Sequence, residues 1–286
     1  MALRTDRLPP RARNLEVHLR RAARRATAER RVLPDALLIG AQKSGTTSLS
    51  RYLRSHPDVR SSVDGEVHYF DDRFHRPVRT YRAQFPLELE LERAAHRGPR
   101  PVVFEKSPKY LFHPRVPARA ASVVPRAKLL VLLRNPVDRA ISQHRMNVHA
   151  GREPLSLAAA IEAEPARIGP ELELVEGGHL EMVNSISAFY SYVARSRYAE
   201  QLARWEQHYS RDQMLVVRAE DLFTEPAPTY DRILAFLGLA PHRPEFKVWH
   251  PGRITDPVDP ADRARLERAL AASTERLAAE WDIRWG

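Results

Sequence analysis

The run "AKLLVLLR", Ala127 to Arg134, constrains the fold more than any other stretch of the chain. Its apolar residues face both sides of an extended backbone, so both sides need cover. A central, mostly parallel strand with helices above and below meets that demand. Three other segments, "DALLIG", "PVVFEKSP" and "QMLVVRAEDL", read as shorter strands of the same sheet. Between and after them lie "TTSLSRYLRSH", "PRVPARAASVVP", "NPVDRAISQHRMNVHAG", "YAEQLARWEQHY" and "APTYDRILAFLGL". These carry apolar residues at helical spacing, or proline and glycine at the positions that start and stop helices. The long amphipathic segment "DPADRARLERALAASTERLAAEW" follows an aspartate cap. Strands alternating with helices predict an α/β fold with a central, mostly parallel sheet. We expect one domain over residues 35–286, with residues 1–34 as a basic N-terminal extension.

Charge is unevenly placed. The formal net charge is +10, and residues 1–34 hold ten arginines against Asp6, Glu16 and Glu29. The segment "HLRRAARRATAERR" could form a patch for nucleic acid or an anionic surface. We read it instead as a solvated extension, and nucleic acid is not an expected partner. Arginine outnumbers lysine 41 to five, the lysines being at 43, 106, 109, 128 and 247. A compact ammonium does not do the work of a guanidinium fork, so each lysine draws attention. Cysteine is absent, which excludes disulfides and thiolate metal sites. No apolar run reaches the length of a membrane span, and no secretory stretch opens the chain. A cytoplasmic location is therefore expected.

The first candidate site is "LLIGAQKSGTTSL", Leu37 to Leu49. A triphosphate-binding loop reads G-x-x-x-x-G-K-[ST]. Gly40 and Gly45 keep that spacing, but Thr46 stands in the lysine position and Lys43 comes three residues early. A glycine-rich turn between strand and helix aims backbone N–H groups at an anion, and the helix dipole adds to the attraction. Gly45, Thr46, Thr47 and Ser48 would supply the donors. An ordinary kinase or NTPase fits less well, because the lysine is displaced and no acidic strand end offers itself to magnesium. The second candidate is "VLLRNPVDRAISQ", with Arg134 at the carboxyl end of a strand and Ser142 eight residues on. Ligands of open α/β sheets collect at that edge, and a guanidinium with a hydroxyl can hold a second phosphate. The plainer reading is a helix start with Arg134 paired to a carboxylate.

Together these two segments resemble the nucleotide-binding motifs of sulfotransferases that use 3′-phosphoadenosine 5′-phosphosulfate (PAPS). The resemblance implies a P-loop-like, three-layer fold. It implies that Lys43 lies near the phosphosulfate linkage, with Ser44, Gly45, Thr46, Thr47 and Ser48 around the 5′-phosphate. Arg134 and Ser142 would hold the 3′-phosphate. The likeness extends toward the heparan-sulfate 3-O-sulfotransferase-like branch. "DGEVHYFDD" is similar to that branch's E-V-H-F-F-D segment, which makes Glu66 the base, with His68 assisting and Asp71 nearby. "FEKSPKYLF" is similar to its E-K-T-P-x-Y segment, placing Lys106 beside the acceptor and the moving sulfuryl group, with Ser107 and Lys109 in the cleft. "SRYAEQLARWEQHYSRDQMLVVRAEDL" matches the later helix–strand pattern, with Ser196 and Tyr198 as possible cleft contacts. "HPGRITDPVDP" resembles the loop that closes over the 3′-phosphate, carrying Gly252 and Arg253; Pro251 stands where the branch often has lysine. The cysteine pair and membrane anchor of the animal glycan enzymes have no counterpart here.

The implied activity is in-line transfer of a sulfuryl group from PAPS to a hydroxyl, or an amine, of a glycan or small molecule, with 3′,5′-bisphosphoadenosine (PAP) as product and without a metal. The alternatives are a P-loop phosphotransferase and a nucleic-acid-binding protein acting through the arginine-rich tail. The acceptor is not legible. Segments 64–75, 145–190 and 240–250 are expected to shape its cleft.

Overall fold

The structure is a computed structural model and describes residues 19, 21–179, 185–249 and 257–285. Its centre is a five-stranded sheet ordered β2-β3-β1-β4-β5. The strands are β1 (Ala36–Gly40), β2 (Val59–Ser61), β3 (Val102–Lys106), β4 (Lys128–Leu133) and β5 (Met214–Arg218). All neighbours pair in parallel. The eight helices that matter below are α1 (Thr46–Ser55), α2 (Tyr69–Asp72), α3 (Val116–Val123), α4 (Pro136–His149), α5 (Leu157–Glu176), α6 (Tyr198–Glu206), α7 (Pro226–Leu237) and α8 (Pro260–Trp281).

The doubly apolar run behaves as its composition demands. Leu129, Val131 and Leu133 of β4 join a core with Leu37 and Ile39 of β1, Val116 and Ala120 of α3, Leu202 and Trp205 of α6 and Leu277 of α8. Leu130 and Leu132 enter the opposite core with Ala36 and Leu38, covered by Leu49, Tyr52 and Leu53 of α1 and Tyr230, Ile233 and Leu234 of α7. The period-2 alternation of a strand thus feeds two helical layers at once, and the result is a three-layer α/β sandwich. A third cluster locks α4, α5 and α8 together through Val137, Ile141, Ile161, Leu266 and Leu270. Helix α5 lies in a segment for which the sequence suggested no element. It holds because Ser156 caps it at Ala159 N–H and its apolar face is buried, despite Pro165 and Pro170 inside.

The chain leaves β1 toward β3 on one side and β4 on the other. This reversal opens a crevice at the carboxyl edge, and the loops after β1, β3, β4 and β5 all empty into it. At the other end of the chain order, residues 21–34 touch the body at a few points, while Arg21–Ala23, Arg25, Ala26, Glu29 and Arg30 stay exposed. Arg24 donates from Nε and Nη2 to the carbonyls of Ala83 and Phe85, each at 2.6 Å, and Arg31 Nη1 donates to Phe85 O at 2.7 Å. Ala28 and Val32 are buried beneath them. Among the described residues, no helix is long and apolar enough to cross a membrane.

Candidate active site

The turn after β1 is shaped by two left-handed residues. Gly45 has φ +85°, and a Cβ there would stand 2.4 Å from the Phe223 ring, so a side chain would be strained and would displace the ring. Lys43 has φ 75° with a full side chain, an uncommon conformation outside glycine. Gly45 is also the N-cap of α1 and offers no side-chain cap. The first N–H groups of α1, at Thr46 and Thr47, therefore face the cleft without an intrahelical acceptor. The Lys43 ammonium contacts Met146 Sδ at 3.7 Å. Burial, then the guanidinium groups of Arg134 and Arg139, push its pKa below the usual lysine value. Among the described residues neither Lys43 nor Arg134 pairs with a carboxylate, so the plainer reading of Arg134 as half of an ion pair does not hold. The Arg134 carbonyl is fixed by the Tyr198 hydroxyl, which donates to it at 3.0 Å.

These groups share one cleft of about 590 Å³. Lys43, Ser44, Gly45, Thr46, Thr47, Arg134 and Ser142 line it from the segments after β1 and β4, and Glu66 and Lys109 from those after β2 and β3. Sequence reasoning thus assembles most of its candidates in one place. Ser48 is not among them: it is fully buried, and its Oγ accepts the Trp249 N–H at 2.9 Å. Ser196 is likewise interior, bound by Arg139 Nε at 2.6 Å. Gly252 and Arg253 lie outside the described residues.

Opposite the loop, four ionisable groups form a chain. His68 Nδ1 bonds Asp71 Oδ2 at 2.8 Å, and His68 Nε2 bonds Glu66 Oε2 at 3.1 Å. Glu66 Oε1 accepts from Lys106 Nζ at 2.9 Å. Burial opposes ionisation of both Glu66 and His68, but the partners win. Hydrogen bonds from His68 and Lys106 hold the Glu66 carboxyl down to about 2. Bonds to Asp71 and Glu66 raise the His68 imidazole to about 10. His68 is therefore an imidazolium at neutral pH, donating from both nitrogens. It too adopts a left-handed backbone, with φ 51°. Asp72 brings a third ligand-type atom near His68 and Asp71, but both His68 nitrogens are already spent on carboxylates, which makes this an ion-pair chain. Ser107 is buried behind it instead of lining the cleft. Its Oγ accepts the N–H groups of Val67 and His68 at 3.2 Å each.

Several cleft residues had no sequence signal that singled them out. Phe223 and Trp249 line it, and both read as ordinary apolar residues of a helix and a loop. Glu220 also lines the cleft and accepts from Asn135 N–H at 2.8 Å and from the Trp285 indole at 2.9 Å. Both oxygens of this carboxylate, in the helical turn after β5, are thereby engaged.

A parallel sheet with a phosphate-type loop at its switch point and unpaired cations beside it defines a P-loop-like anion-binding α/β protein. The chain belongs to the sulfotransferase family: the family model for the sulfotransferase domain matches residues 33–250. Among curated proteins it is 33% identical over 207 residues to heparan sulfate glucosamine 3-O-sulfotransferase 3A1 of Mus musculus, covering 72% of this chain and 46% of that one. It is 29% identical over 216 residues to the bifunctional heparan sulfate N-deacetylase/N-sulfotransferase 4 of Mus musculus, covering 73% and 23%. The chain spans about half the length of the first of these relatives. Among solved structures it resembles a sulfotransferase from Alicyclobacillus acidocaldarius, with a TM-score of 0.66, 28% identity and coverage of 89% and 98%. The family and the fold expected from the motifs are both met.

Proposed function

We propose that this chain moves a sulfuryl group in line from PAPS to a hydroxyl, or an amine, of a glycan or smaller acceptor. One observation carries the reading: two cations with no carboxylate partner among the described residues, Lys43 and Arg134, share a cleft with a carboxylate, Glu66, that is held ionised. Cations without counter-ions at a helix N-terminus call for a bound anion. A donor with one 5′-phosphate, one sulfuryl group and a separate 3′-phosphate uses Lys43 inside the loop and Arg134 beyond it. It leaves no role for a lysine in the position of Thr46. A glycan acceptor is favoured by the heparan sulfate named in the relatives.

In the step itself the acceptor oxygen bonds to sulfur as the bridge from sulfur to the 5′-phosphate oxygen breaks. The leaving phosphate keeps the electron pair, and the loop N–H groups with Lys43 stabilise it. The acceptor proton goes to Glu66. A carboxylate held down to about 2 is a weak base while both Lys106 and His68 bind it. A bound sulfuryl group competes for Lys106, and each donor drawn away from Glu66 raises its basicity. His68, kept charged by Asp71, stays as the second donor and orients the carboxylate. The part-exposed Glu66 side chain then returns its proton to water.

Labelled PAPS incubated with a panel of glycans, small metabolites and cell-extract fractions tests this reading. Transfer to one acceptor class, with tight metal-free PAP binding, supports it. Magnesium-dependent ATP turnover without PAP binding would favour the phosphotransferase alternative and overturn it.

A further inference from the structure

The loop that carries Glu66 and His68 has no strand or long helix to hold it. Its support comes from a buried carboxylate that the transfer step does not use. Glu105, next to last in β3, has a relative exposure of 1%. Its Oε1 accepts from Ser107 Oγ at 2.8 Å and from Tyr110 Oη at 2.7 Å, while Tyr81 Oη donates to Oε2. Burial pushes its carboxyl up to about 7, against the pull of these three hydroxyls.

Each hydroxyl has one donor and two acceptor sites. By taking the donor side of Ser107 and Tyr110, Glu105 turns their lone pairs the other way. Ser107 Oγ then accepts from Val67 and His68 N–H at 3.2 Å each, and Tyr110 Oη from Tyr69 and Phe70 N–H at 2.8 and 3.3 Å. Four consecutive N–H groups at the entry to α2, where no helical acceptor exists, are thereby satisfied. The left-handed His68 sits in the middle of the four. Lys106, next in sequence to Glu105, is the Glu66 partner, so one strand end sets both sides of the ion pair.

We propose that Glu105 is the positioning residue of the Glu66–His68 loop, acting through the hydroxyls of Ser107 and Tyr110. The proposal rests on the reading of Glu66 as base, and the experiment separates the two. Ser107→Thr and Ser107→Val have the same shape and differ in the hydroxyl. Expected are amide exchange at residues 67–70 about tenfold faster in the valine enzyme and a kcat about tenfold or more below that of the threonine enzyme. PAP affinity should stay within about twofold, because the donor side is untouched. Glu105→Met should lose more kcat than Glu105→Gln, whose remaining amide oxygen still accepts from both hydroxyls, and Tyr110→Phe should repeat the valine result. Equal kcat and equal exchange in the Thr and Val enzymes overturn the brace. An active Glu66→Gln enzyme beside a fast-exchanging, fully active Val enzyme overturns the base assignment instead, and with it the positioning role.

Discussion

The two walls of the cleft keep their cations in opposite conditions. On the loop side Lys43 stands beside Arg134 and Arg139 with no carboxylate, contacting a methionine sulfur. On the Glu66 side two cations are answered, Lys106 by Glu66, and His68 by Glu66 and Asp71, with Lys109 beside them in the lining. On the proposed reading the first wall is completed by an anion from outside, and the pairs around Glu66 are partly taken apart before it accepts a proton. That reading assigns binding and chemistry to different walls, and variants should separate them.

The largest effect should follow from Glu66→Gln. The substitution keeps the shape but cannot take the proton, and loss of a general base costs about 10²–10⁴-fold in rate. We expect kcat to fall into that range while PAP affinity, measured by calorimetry, stays within about twofold. An active Glu66→Gln enzyme, or one that no longer binds PAP, would break the division between the walls.

Arg134→Ala should do the reverse. A charge-assisted hydrogen bond to phosphate is worth about 1.5–3 kcal/mol, so PAP should bind about 10–100-fold more weakly. At saturating donor, kcat should be nearly kept. Unchanged PAP affinity removes Arg134 from the donor wall. Lys43→Arg sharpens the comparison further. A planar fork replaces a point charge in a left-handed turn, and we expect kcat to fall about tenfold while PAP binding changes less.

The two walls also differ in how far they could be read from sequence. The loop wall is mostly backbone: two glycines at fixed spacing, a strand before and a helix after. Such features are local, and spacing exposes them. Lys43, Thr46, Arg134 and Ser142 were found that way and do meet in one cleft. The sheet was legible for a similar reason, since "AKLLVLLR" leaves few other options. The other wall is made by contacts between distant segments. Glu105 reaches Tyr81, and Ser107 and Tyr110 reach residues 67–70. No period or spacing signals a hydroxyl turned inward, so Ser107 and Ser48 were read as cleft residues, whereas both are buried with their hydroxyls accepting backbone N–H groups. Helix α5 was missed because two prolines argue against a helix, and tertiary packing outweighs that local cost. The anchoring of Arg24 and Arg31 was hidden by their charge, since both serve as carbonyl donors to a distant loop.

The smallest expected effect is on stability, and it probes the paired wall at rest. His68 has its pKa raised from 6.5 to about 10 in the folded state. The folded protein therefore holds a proton that the unfolded chain releases at lower pH. This contribution is fully present below about 6.5 and is lost as pH rises toward about 10. Glu66, lowered from 4.5 to about 2, works in the other direction: its contribution is present above about 4.5 and is lost as pH falls toward 2. The ion-pair chain is thus strongest between about 4.5 and 6.5. Glu105, raised from 4.5 to about 7, favours the folded state below 4.5 and loses that contribution on the way to 7, which trims the upper part of the same window. Melting curves from pH 6.5 to 10 for the native chain and for His68→Gln isolate the histidine, because the other groups titrate in both. The native chain should lose more Tm across that range, and the two curves should converge at the alkaline end. Parallel curves would show that His68 is neutral at rest and that the second wall is not held by charge.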